Sequence, residues 1–174
     1  MNDNYIVLGR TRILMAEIEV NDTKEKIYYH KYKPEVIANF TNRCIYLHAT
    51  NFLTNSKKKM SFDTIEYSKL NKVKISLCRR NYGAISAILV NEYHLDITLF
   101  LNDGNSYQLE SQSWNDFLKA VEIMKDNNVD IIDEMNVIYN YNKSKKDYLK
   151  ELDSTFDELA VKYNLQHYRG NNIR

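Results

Sequence analysis

The feature that most constrains this chain is a change of hydrophobic period near residue 112. Before it, apolar residues alternate with polar ones, as in "NKVKISLC", where Val73, Ile75 and Leu77 share one face and Lys72, Lys74 and Ser76 the other. After it, "SWNDFLKAVEIM" places Trp114, Phe117, Leu118, Val121 and Met124 on one helical face. A period of 2 gives half-buried strands and a period of 3.6 gives amphipathic helices. Strands followed by helices, without strand–helix alternation, predict an α+β fold rather than a doubly wound sheet.

The strand region reads as six or seven antiparallel segments. Tyr5–Val20 and "IYYH" read as two β segments joined by a polar turn at Asn21 to Lys26, with a partly helical stretch as the alternative, and Pro34 marks a break. In "CIYLHAT", Ile45, Leu47 and Ala49 point one way and Cys44, Tyr46 and His48 the other. "KMSFDTIEY" loses register near Asp63 and Thr64, which predicts a bulge or turn. "ISAILV" (Ile85–Val90) has the composition of a strand buried on both faces. "HLDITLFLNDGNSYQLES" reads as a hairpin whose Asp103-Gly104 pair tolerates positive φ.

Two helices follow. Ser113 with Asp116 introduces the first at capping-box spacing, and Ser144 with Asp147 the second. The second carries an apolar seam of Leu149, Leu152, Phe156, Leu159 and Tyr163, spaced 3, 4, 3, 4. Such a seam either packs on its own domain or serves self-association or docking on a partner protein. The tail "QHYRGNNIR" is polar and predicts a frayed end.

The formal net charge of +1 conceals an asymmetry: residues 1–82 hold 15 Lys/Arg and 8 Asp/Glu, and residues 83–174 hold 9 and 15. Two oppositely charged halves can attract each other within the fold, or present a basic face to phosphate. Cys44 and Cys78 lie in strand-like segments and read as reduced core thiols, because two cysteines in 174 residues make no disulfide framework. The chain has no apolar run of 18 residues and no signal-peptide pattern at its start, so a soluble, cytoplasmic protein is expected.

The candidate ligand site is basic. Lys57, Lys58 and Lys59 form a hairpin tip, and Lys72, Lys74, Arg79 and Arg80 follow; if they converge they would hold an anionic lipid headgroup or nucleic acid. A lysine tip also serves solubility and edge protection. His30, His48, His94 and His167 are scattered, and His94-x-Asp96, the only pair sharing a strand face, offers too few ligands for a metal. Asp96, Glu110 and Asp116 form a carboxylate trio without the lysine that a nuclease-like site would place after the acid. No phosphate loop or nucleophile motif is present, and no cofactor is expected.

The stretch "EVIANFTNRCIYLHATNFLTNSKKKMSFDTIEYSKLNKVKISLCRR", with the hairpin and the Trp114 helix, resembles a bacterial pleckstrin-homology-like domain over about residues 35–126. The resemblance implies an antiparallel β-barrel capped by an amphipathic helix and used for binding rather than catalysis. The expected organisation is an N-terminal β segment at 1–34, either separate or part of the same domain, the barrel at 35–128, and a helical C-terminal extension at 129–174. The expected function is a non-enzymatic interaction module for a protein partner, with self-association through the C-terminal helix an alternative. Two further readings are an anionic ligand at the lysine tip and a small phage or mobile-element inhibitor acting by surface occlusion. The last draws on the acidic C-terminal half and on an Asn-, Lys-, Ile- and Tyr-rich composition that suggests an AT-rich genome.

Overall fold

The computed structural model describes residues 6–20, 23–28, 35–50, 60–83, 89–111 and 113–169. Ten strands and three helices occur among them: β1 (Ile6–Val20), β2 (Thr23–Tyr28), β3 (Glu35–Phe40), β4 (Cys44–Thr50), β5 (Met60–Glu66), β6 (Leu70–Gly83), β7 (Leu89–Leu101), β8 (Ser106–Ser111), α1 (Trp114–Asp126), β9 (Ile131–Ile132), α2 (Val137–Lys143), α3 (Lys145–Tyr163) and β10 (Gln166–Arg169). The class is α+β, as the change of period predicts.

The strands run β10-β6-β7-β8-β1-β3-β4-β5, with β2 pairing β1 and β9 pairing β6. Two antiparallel meanders, β3-β4-β5 and β6-β7-β8, are thus joined by β1, which pairs with both β3 and β8. The N-terminal segment is therefore central to the sheet. No ladder joins β5 to β6 among the described residues, so the described hydrogen bonds do not close a barrel. The polar turn expected at Asn21 to Lys26 is shorter, because Thr23 to Lys26 already pair with β1. The strand expected at Ile85–Val90 is described only from Leu89, where β7 begins.

The β5 slip is real. Leu47 faces Asp63 while His48 faces Ser61, so one residue of β5 is extra between them. The β7–β8 turn takes its shape from Gly104 at φ +89°, with the Gly104 amide donating to the Leu101 carbonyl at 3.2 Å.

Alternation sets the core. Ile45, Leu47, Val73, Ile75, Leu77, Leu95, Ile97 and Leu99 are all buried. On α1 the buried residues are Trp114, Phe117, Ala120, Val121 and Met124, with Leu118 packed at the margin. Trp114 Nε1 donates to the Tyr93 carbonyl at 2.9 Å, and its ring stacks on Tyr141 at 4.7 Å with Tyr148 edge-on at 6.1 Å. That hydrogen bond lets a buried indole lose its water without penalty. At the head of α1, Ser113 Oγ donates to the Asp116 carboxylate at 2.7 Å instead of accepting a backbone amide. At α3 the expected cap forms, with Ser144 Oγ accepting from the Asp147 amide at 3.3 Å. Asp133 caps α2, its carboxylate accepting from the amides of Val137 and Ile138.

The C-terminal region is more ordered than its polarity predicts. Gln166–Arg169 pair in parallel with Cys78 to Asn81 of β6, and Ile131–Ile132 pair with Val73 and Lys74. These two short strands cover the outer edge of β6 where a frayed tail was expected. Both cysteines are free and buried, and no helix of the described residues is long and apolar enough to cross a membrane.

Candidate functional site

Strand alternation divides the β6–β8 sheet into two unlike faces. Leu77, Arg79, Tyr93, Leu95 and Leu109 face the helices. Cys78, Arg80, His94, Asp96, Gln108 and Glu110 lie on the reverse face, brought together because Cys78 pairs with His94 and Asp96 pairs with Glu110. Apart from half-buried Gln108, these polar residues are buried.

Glu110 is the hub. Arg80 Nε donates to Glu110 Oε1 at 2.5 Å and Arg80 Nη2 to Oε2, a two-pronged contact. His94 Nδ1 lies 2.5 Å from Glu110 Oε1, and His94 Nε2 lies 3.4 Å from the Glu92 carboxylate. Asp96 Oδ2 accepts from Gln108 Nε2 at 2.5 Å. Burial alone would raise the Glu110 pKa, but the hydrogen bonds and charges of Arg80 and His94 outweigh it and bring the carboxyl to about 2. Burial opposes charge on His94, yet Glu110 and Glu92 overcome it and hold the imidazole pKa above its ordinary value. Burial, reinforced by Glu110 and Asp96, pushes the Cys78 thiol up, so in the apo protein it stays protonated and is not primed as a nucleophile.

The helix-facing side is built around Arg79. Its Nη2 donates to Asp157 Oδ1 at 2.5 Å, and its guanidinium carbon lies 4.7 Å from the Phe156 ring centroid. Tyr93 Oη donates to Asp153 Oδ1 at 2.8 Å, and its ring centroid lies 5.5 Å from that of Phe156. Burial is the main reason the Tyr93 hydroxyl rises to about 12. Asp153 and Asp157, one turn apart, thus tether α3 to β6 and β7.

Each of the described basic candidates is held by its own partner. Arg79 and Arg80 are adjacent in sequence, so they point to opposite faces, and each is bound to a carboxylate. Lys74 pairs with Glu134 at 3.0 Å, and Lys72 lies over the Phe100 ring at 5.3 Å. Lys57, Lys58 and Lys59 lie outside the described residues. The contacts of Arg79, Arg80 and Lys74 join the basic N-terminal half to the acidic C-terminal half, the internal attraction that the charge asymmetry allowed. The seam is also turned inward: Leu152 and Phe156 are fully buried, and Leu149 and Leu159 pack at the margin of the same core. Half-buried Tyr163 reaches the Glu134 carbonyl at 3.5 Å. Leu152 and Phe156 are therefore unavailable to a partner.

Asp96 and Glu110 of the carboxylate trio meet, whereas Asp116 is engaged by Ser113 on α1. Sequence reasoning did not find Cys78 as the neighbour of His94, because cross-strand register is not written in either segment alone. The spacing His94-x-Asp96 and the alternation around Cys78 were the signals available. Comparison with known proteins finds no matching family model, no matching curated protein and no matching solved structure.

Proposed function

We propose that the chain is a cytosolic, non-enzymatic interaction module on a pleckstrin-homology-like scaffold, and that it binds a partner protein by adding an extended segment of that partner to β5. The observation that carries this reading is the difference in length between the sheet's two ends. Among the described residues the strand order ends in β10 and the two-residue β9 beside β6 at one side, and in the longer β5 at the other. A terminal strand is a template for strand addition, in which main-chain hydrogen bonds supply affinity and alternate side chains supply specificity. The two meanders joined by β1, followed by a helix packed on the sheet, support the pleckstrin-homology-like scaffold.

The test uses the full chain as bait in source-organism lysate at low and moderate salt, followed by hydrogen exchange on the isolated complex. The expected result is a stoichiometric protein that survives moderate salt and slows exchange of the Met60–Glu66 amides. A partner that leaves those amides unprotected overturns the β5 reading. Recovery only of nucleic acid or lipid, lost at moderate salt and lost with Lys57→Glu/Lys58→Glu, overturns the protein partner in favour of an anionic ligand at the lysine tip.

A further inference from the structure

We propose that Cys78, His94 and Glu110 bind one divalent metal ion of the zinc class, clamping β6, β7 and β8 together. One ligand atom from each of the three lies within 4.8 Å of the other two, and all three residues are buried. Thiolate, imidazole and carboxylate are the donor types of zinc, which holds them at about 2.0–2.3 Å, so that neighbouring donors stand about 3–4 Å apart. Closing the widest separation, and opening the 2.5 Å between His94 Nδ1 and Glu110 Oε1, take shifts of about 1 Å or less, within reach of rotamer adjustment. A thiolate ligand selects against magnesium and calcium, which take oxygen.

The surroundings favour the ion. Arg80 grips the Glu110 carboxylate and fixes its orientation, the part that outer hydrogen-bond partners take around metal ligands. All three donors are buried, so the ion would be held away from bulk solvent.

The test measures divalent metal in the full chain purified without chelator, then unfolds it with chelator and refolds it with cobalt(II) as the probe. The expected results are one equivalent of metal and, with cobalt, a thiolate-to-cobalt charge-transfer band. That band should persist in Cys44→Ala, which leaves Cys78 as the sole thiol, and vanish in Cys78→Ser. His94→Gln should weaken cobalt binding at least tenfold. A chain that carries no divalent metal and takes up none overturns the proposal. So does a thiolate band that disappears in Cys44→Ala. Should Cys78→Ser fail to fold, the wild-type and Cys44→Ala spectra decide the matter.

Discussion

Arg79 and Arg80 are neighbours in sequence and stand in opposite electrostatic worlds. Arg79 faces α3, where its partner Asp157 is 83% exposed and the Phe156 ring supplies a second contact. Arg80 faces the reverse side, where its partner Glu110 is 2% exposed and shares its charge with His94. The first pair is open to water on its Asp157 side, where screening and side-chain entropy limit the net gain. The second works in a dry interior, where removing one partner strands a buried charge. One residue step along a strand therefore separates a surface tether from an interior commitment.

The largest effect should come from breaking the interior pair alone. Glu110→Ala leaves Arg80 and His94 without their shared anion and should cost about 3–5 kcal/mol in urea unfolding at neutral pH. The double variant Arg80→Met/Glu110→Leu removes both charges together and should be less destabilised than Glu110→Ala. Measured on chelator-treated protein, a double variant as unstable as the single one would mean that Glu110 acts through packing rather than charge.

Phe156→Ala tests the other face through its apolar part. The side chain is fully buried between Tyr93 and Arg79, so its removal should cost about 3–5 kcal/mol with cavity and transfer terms combined. The same cost is expected for Trp114→Ala. A near-neutral Phe156→Ala would mean that α3 is not docked on the sheet.

How much of this was legible in the sequence follows from the range of the signals. Periodicity is local, so Val73, Ile75, Leu77 and the α1 face could be read directly, and Gly104 announced its turn. Register is not local: only the folded ladder puts Cys78 beside His94 and Asp96 beside Glu110. The same limit hid β10, whose parallel pairing with β6 joins segments nearly 90 residues apart and gives polar Gln166–Arg169 a ladder that composition does not foretell. The basic residues were visible, but their count could not show that Arg79 and Arg80 would be neutralised on opposite faces.

The pH dependence probes the reverse face. In chelator-treated protein, Glu110 falls from an unfolded value near 4.5 to about 2 on folding, so its stabilisation is present above pH 4.5 and lost as pH drops toward 2. His94 moves the other way. Its folded pKa is raised above 6.5, so its contribution is complete below 6.5 and declines as pH rises through the folded value. Stability should therefore be greatest between about pH 5 and 6.5, and Glu110→Gln should flatten both limbs. Urea midpoints measured across this range check the outcome, and an unchanged profile in Glu110→Gln would place the titrating groups elsewhere.

The smallest effect should be Asp157→Asn. It removes the charge facing Arg79 but leaves an amide oxygen able to accept a hydrogen bond and leaves Phe156 under the guanidinium. A largely exposed partner contributes about 1 kcal/mol or less, and added salt should shrink the difference further. The comparison is sharpest as a ratio in chelator-treated protein: Asp157→Asn and Glu110→Gln both neutralise one carboxylate bonded to one of two consecutive arginines, so the gap between them measures the burial of Glu110 together with its added bond to His94. A cost for Asp157→Asn equal to that of Glu110→Gln, and insensitive to salt, would show that α3 shields its tether from solvent as fully as the reverse face shields Glu110.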